Sequence, residues 1–415
     1  MEGFIVAQRF STTSLILLVL IGPLLALAIK GFAVLLALAG IFAALALILQ
    51  DKWPNISRFK PHGWPLALLT WISLSAIWSL HEDAGNKLVQ LLLSLFFAIS
   101  LLFLFEQLDD EKKSLWGKRI SISIGLGLGL SLILGPWQIY APNLADALSP
   151  VLELLRQVNR SLTIVAILVF IYAGSIAQRR PRIAVALLAI STAVAFYSES
   201  QSAALAMALG WLALGLARMS VKVTRRLILA SFALSLLLIA PFSIRAFEER
   251  WSTTYLPQAI HNTAAPNIRS WIYYVYSKEL LPKALFGHGL QSSRNFNPEN
   301  LDVYVSECQK MSHSYRHCDL ALENQTVAAH AHNLFLQILF ELGIVGGVLC
   351  LFVLGKWLPS QQSDTNMWRM GAWGAGMGTL MFSYNFWQSW LMASLLICAL
   401  SAAIVLPNKK GAVTS

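Results

Sequence analysis

Charge is what this 415-residue chain has least of. Asp, Glu, Lys and Arg together make up 13% of it, about half the ~25% of an ordinary soluble domain. With 56% hydrophobic residues and a mean hydropathy of +0.61, a water-surrounded fold is excluded. Intrinsic disorder is excluded too, since it needs low hydrophobicity and high charge. Cysteine is scarce: four residues without CxxC spacing, too few for a disulfide scaffold. Segments of about ten residues alternating in hydrophobicity, which an outer-membrane barrel requires, are absent. A complete GxGxxG is also missing. Phe286–Ser292 holds a GxG without the third glycine or a preceding strand, so it reads as a tight turn.

Long apolar runs are present instead, and they define an all-α polytopic membrane protein. Twelve runs are near or above the ~17-residue lower limit for crossing a bilayer: about 13–29, 31–49, 64–80, 88–106, 120–136, 161–177, 183–198, 202–217, 227–244, 333–355, 368–384 and 387–406. The expected organisation is nine spans over 1–245, a large outside loop with interfacial helices over 246–331, and three spans over 332–415. The N-terminal run is read as a span rather than a signal peptide, because the segment before it is long and carries Glu2. With both termini inside, 19 of the 31 basic residues fall in inside segments, and the short outside loops keep only Lys30, Lys87, Arg156 and Arg160. This bias fits the positive-inside rule. It also accounts for the net charge of +10 without nucleic acid. The long loop carries acids and bases in similar number, so positioned arginines, not bulk charge, are its feature.

Several residues could carry chemistry. In the run from His330 to Gly346, His332 stands where the outside loop re-enters the membrane as a helix. The partial positive charge of a helix N-terminus should keep its ring neutral and able to accept a proton from a hydroxyl. His330 and His332 alone make a poor metal site. Glu341 lies inside the same span, about 14 Å of helix from His332. An intramembrane acid is costly and usually paired, so Glu341 is expected to fix helix packing rather than react. In Asn267–Tyr276, the residues Ile268, Ile272 and Val275 share one helical face and Arg269, Tyr273 and Tyr276 another. The pattern predicts an amphipathic helix on the membrane surface, with Arg269 at headgroup depth where guanidinium binds phosphate bidentately. Arg160 begins the sixth span, with Arg156 one turn earlier, and both could face a cavity shared with Arg269 and His332. Cys308 and Cys318 both lie in the outside loop; a disulfide is favoured over a Cys/His zinc site using His313 and His317.

Outer loops lack the DxD carboxylates that metal-dependent membrane glycosyltransferases use, so no metal or other cofactor is expected. A transporter would carry charged or broken segments deep in several spans. Here the spans are almost free of charge apart from Glu341, and the long loop needs a purpose, so an enzyme is the stronger reading.

The chain resembles the O-antigen ligase family of bacterial inner membranes. Three features carry the resemblance: the twelve-span layout with a large loop before the last three spans, the arginine–tryptophan helix at Asn267–Tyr276 followed by Leu285–Ser292, and the H-N-x-x-L-Q-x-L-x-E-L-G-x-x-G run beginning at His332. It is specific over about 185–350. The resemblance implies a multi-pass inner-membrane glycosyltransferase of the GT-C type with its site facing the periplasm. Such an enzyme moves a glycan from undecaprenyl pyrophosphate to a hydroxyl of lipid A–core, with inversion and without metal. An O-antigen or exopolysaccharide polymerase of the same superfamily is the nearest alternative. Carried over, His332 is the base and Arg269 binds the donor pyrophosphate, with Asn333 and Tyr273 in support. Many members have a second arginine in an S/T-x-S-R motif. Here the stretch is Ser198–Ala204, with alanine at that position. Either the donor is held differently, or Arg160 or Arg156 substitutes from the neighbouring helix, while Gln201 and Ser202 could supply neutral hydrogen bonds only.

Overall fold

The computed structural model describes residues 2–51, 63–140, 158–198, 200–249, 264–311, 315–382 and 384–406. Among these there are sixteen α-helices and no strand: α1 Glu2–Val19, α2 Ile21–Leu27, α3 Phe32–Leu49, α4 Gly63–Ser75, α5 Ala84–Glu106, α6 Asp110–Tyr140, α7 Val158–Ala177, α8 Pro181–Tyr197, α9 Gln201–Met219, α10 Val221–Glu248, α11 Ala264–Leu280, α12 Leu301–Met311, α13 Tyr315–Glu323, α14 Leu334–Trp357, α15 Asp364–Phe382 and α16 Ser389–Val405.

Eight helical segments are long and apolar enough to cross a membrane. They cover eight of the twelve expected spans. The other four fall on α4, α8 and α16, which are short, and on α15, which begins with the polar stretch Asp364–Arg369. Large apolar side chains remain exposed along the outward faces of these helices, such as Val34, Ile48, Leu126, Ile133 and Leu237. In water these faces would be a liability; in lipid tails they are solvated.

The bundle is built around α7, whose residues Ile164–Ile171 are all buried. It packs against α6, α8, α9, α15 and α16. Lipid tails are as apolar as leucine, so helix association here depends on close fit rather than on hydrophobic drive. The α9–α15 contact illustrates this. A Cβ added at Gly374 would lie 2.5 Å from the Leu209 carbonyl oxygen, and one at Gly378 2.7 Å from Cα of Ala206. Glycine at both positions lets the backbones touch.

A second apolar cluster joins the end of α10 to α11, α12, α13 and the first turns of α14. This is the layer that the sequence places in the long loop. Its centre is α11, and here the structure departs from the expected surface helix. Tyr276, grouped by periodicity with Arg269 on the polar face, is fully buried, as are Trp271, Tyr274 and Val275. The tyrosines are buried because each hydroxyl reaches a partner: Tyr276 donates to the Ser293 carbonyl at 2.6 Å. Cys308 and Cys318 form a disulfide between α12 and α13, with Cα atoms 6.0 Å apart.

Candidate active site at the start of α14

Asn333 caps α14: its side-chain oxygen accepts the Leu336 N–H at 3.1 Å, which satisfies one orphan donor of the first turn. His332 therefore stands one residue outside the helix. Its φ is +53°, a left-handed conformation that costs a non-glycine residue about 1–2 kcal/mol. Strain of this kind persists where surrounding contacts over-determine it. One such contact is visible: the Tyr273 hydroxyl donates to the His332 carbonyl at 3.0 Å. Burial lifts the Tyr273 phenol to about 12, while the Arg269 charge and a bond with Asn333 pull the other way. The hydroxyl thus stays protonated and remains a donor. The His332 ring lies against that of His330, with centroids 3.9 Å apart.

Arg269 sits one turn before Tyr273 on the same face of α11. Its Nη1 donates a long hydrogen bond of 3.4 Å to Oε1 of Gln201, the first residue of α9. Ser202 follows it, buried. Of the two residues expected to supply neutral hydrogen bonds, Gln201 is the one that contacts Arg269. Arg160 takes another place. Its guanidinium lies over the Trp390 ring, 5.8 Å from the centroid, and its charge acts on Tyr384. Arg156 lies outside the described residues, as does His313.

Below this cluster, α14 is broken. Gly343 has φ +66° and ψ −170°, so the helix ladder is interrupted inside the apolar span. The segment 284–293 supplies the missing partners. Gly289 N–H donates to the Glu341 carbonyl at 2.9 Å and His288 N–H to that of Phe340 at 2.7 Å, while Ile344 N–H donates to the Ala284 carbonyl at 2.8 Å. Non-helical backbone is tolerated at such depth only when protein buries it. The GxG of Phe286–Ser292 is therefore more than a turn. A Cβ at Gly287 would meet Glu341 backbone at 2.6 Å.

Glu341 ties this break to the site. It is 1% exposed and accepts from Ser293 Oγ at 2.5 Å, Gln337 Nε2 at 3.0 Å, Gln291 N–H at 3.1 Å and the Trp387 indole N–H. Gln337 also donates to Asn385 at 2.9 Å. One carboxyl group thus fastens α14, the 284–293 segment and the α15–α16 connection together, a wider role than packing within one helix pair. Above it opens a cavity of about 520 Å³, lined in part by His330, Gln291, Trp387 and Trp390. Lys30, Lys87 and Arg294 also line it, and the sequence reading gave them no role. The only signal available was that Lys30 and Lys87 are two of the few basic residues in short outside loops.

The fold and this site define a multi-pass helical membrane protein with a polar, arginine- and histidine-bearing site where one broken helix begins. Residues 186–351, from α8 to α14, match the family model described as O-antigen ligase. It is similar to proteins named "Putative polysaccharide ligase" in Rickettsia typhi (24% identical over 219 residues, 51% of this chain and 49% of the relative) and Rickettsia prowazekii (25%, with the same coverage). One in Rickettsia felis is 26% identical over 220 residues, again 51% and 49%. The chain thus spans about half the length of the curated relatives it matches. No solved structure matches it.

Proposed function

We propose that the protein is a glycosyltransferase of the bacterial inner membrane that moves a glycan from undecaprenyl pyrophosphate to a hydroxyl of lipid A–core at the periplasmic face. The observation that carries this reading is the link Arg269–Tyr273–His332: one helix presents the guanidinium and, a turn later, the hydroxyl that holds residue 332.

The chemistry follows from that link. The donor's anomeric C–O bond to phosphate breaks, and negative charge grows on the departing pyrophosphate. A preplaced guanidinium stabilises such charge without reorganisation, and Arg269 is that group, steadied by Gln201. The imidazole of His332 takes the proton of the acceptor hydroxyl as its oxygen bonds to the anomeric carbon from the opposite face, which inverts the configuration. Holding both lipid substrates at one membrane depth removes much of the entropic barrier. Arg269 and the dipole of α14 supply the counter-charge, so no metal is required. The family description and the names of the relatives, which concern joining of O-antigen or polysaccharide, support this class of reaction.

The deciding experiment incubates the purified chain with undecaprenyl-linked glycan and either lipid A–core or a second lipid-linked glycan. Transfer to lipid A–core, unaffected by EDTA, is expected. Extension of the second lipid-linked glycan instead assigns a polymerase. No transfer to either removes the reading.

A further inference from the structure

The 520 Å³ cavity beside His332 is not lined by Arg269, Tyr273 or Gln201. Its volume falls within the ~300–1,000 Å³ of small-molecule sites. Five separate stretches meet there, one of them holding His330. Lys30 lies between α2 and α3, Lys87 is in the first turn of α5, Arg294 follows the inserted segment, and Trp387 and Trp390 flank the start of α16. Two of the three cations fall outside the residues matched by the family model.

Three observations mark this cavity as a binding site. First, none of the three cations makes an ion pair among the described residues; Lys87 donates to the neutral Gln90 Oε1 at 2.9 Å, and the charge of Arg294 acts on it more strongly than the opposing charge of Asp83. Arg294 also helps hold His81 below its ordinary value, after burial. Like charges gathered around a concave surface focus a field that attracts an anion. Second, Oε1 of Gln291 is buried and has no hydrogen-bond donor among the described residues. An unsatisfied buried acceptor is costly. The Gln291 backbone is fixed by its bond to Glu341, so the amide remains at the wall. Third, both indole N–H groups are already used, Trp387 on Glu341 and Trp390 on Gln388 at 2.9 Å. The rings therefore present carbon to the cavity, and they are held rigid. Cations, a fixed amide residue in the wall and rigid aromatic carbon together suit a sugar that bears a negative charge.

We propose that this cavity is the acceptor subsite and that it selects a glycan carrying phosphate or carboxylate, held by Lys30, Lys87 and Arg294. The His330 ring lines it and touches His332, which brings an acceptor hydroxyl next to the proposed base. The word acceptor rests on the glycan-transfer reading; the charge selection does not.

The test titrates the full chain, in nanodiscs of zwitterionic lipid, with maltotriose, phosphorylated maltotriose and inorganic phosphate by calorimetry. The phosphorylated sugar is expected to bind at least tenfold more tightly than either other probe. Lys87→Gln and Arg294→Gln should each reduce that preference threefold or more, whereas Arg269→Ala and His332→Ala should leave it. Arg294 is exposed and Lys87 half-exposed, so their removal spares the core. If a variant does not fold, the unaltered chain decides: a tenfold rise in salt should weaken binding of the phosphorylated sugar and leave that of maltotriose unchanged. Equal binding of neutral and phosphorylated sugar overturns the proposal. So does a preference that is lost only with Arg269. Full competition by inorganic phosphate, or displacement when the nanodisc lipid is anionic, assigns the cavity to bare phosphate or to a lipid headgroup and overturns it as well. Charge preference without any transfer sinks the transfer reading alone. Transfer to charged and neutral acceptors at equal rates sinks the cavity proposal alone.

Discussion

The hydroxyl of Tyr273 donates to the main-chain carbonyl of His332 at 3.0 Å, so the helix that carries Arg269 also sets the backbone of residue 332. Tyr273→Phe removes this bond while keeping the ring. A net hydrogen bond is worth about 0.5–1.5 kcal/mol, and transfer should fall about three- to tenfold with little change in melting temperature. Unchanged turnover would mean that His332 is held without Tyr273.

Arg269→Lys separates planar phosphate binding from plain charge. Lysine keeps the charge and loses the fork, so the variant should be nearly as slow as Arg269→Ala, about 10²–10³-fold below the unaltered chain. His332→Ala should lower transfer by about 10²–10⁴-fold without unfolding the chain. Full rescue by lysine, or substantial turnover without the histidine, would contradict the proposed roles.

Glu341 receives four donors. Glu341→Leu leaves the Ser293, Gln291 and Trp387 donors without an acceptor, while Gln337 keeps only Asn385, and should cost about 3–5 kcal/mol. Glu341→Gln keeps one acceptor oxygen but points an amide N–H₂ at other donors, for about 1–3 kcal/mol. The order Leu worse than Gln, read from thermal unfolding in detergent, is the check.

His288 is buried against Phe340, with ring centroids 4.3 Å apart, and its Nε2 pairs with the Glu279 carbonyl at 2.9 Å. Burial holds its pKa below the usual ~6.5. Between the folded and unfolded values the unfolded chain binds more protons, so this group makes stability rise with pH in that window. Stability should therefore be full above about pH 6.5 and decline as pH drops below it. His288→Gln, which keeps a donor for Glu279, should flatten the decline; an unaltered profile would assign the pH dependence to other groups.

Eight of the twelve expected spans and the start of α14 were legible because bilayer thickness and capping act locally, and both leave marks within twenty residues. The packing of α11 was not. Tyrosine is apolar along its ring and polar at its tip, so periodicity alone put Tyr276 with Arg269, whereas a distant carbonyl at Ser293 let it be buried. The break at Gly343 was hidden in a run of Leu, Ile and Val, since its partners lie fifty residues upstream. The cavity was hidden for a similar reason: Lys30, Lys87, Arg294 and Trp390 meet only through tertiary structure. Glu341 was visible as an anomaly, but its donors on three separate segments were not.

The break at Gly343 has a mechanical result. Residues 334–342 are fastened to the loop layer through Glu341 and the 284–293 segment, residues 344 and 345 still bond to Ala284 and Leu285 of that segment, and the rest of α14 runs on beside α10 and α4. A bilayer thicker or thinner than the apolar length forces a helix to tilt, and a joint confines that tilt to the lower half. The proposed reacting end is thereby expected to be insulated from changes in lipid composition. Transfer rates measured across acyl chains of different length should stay level, whereas a chain with the two halves fused into one rod should respond.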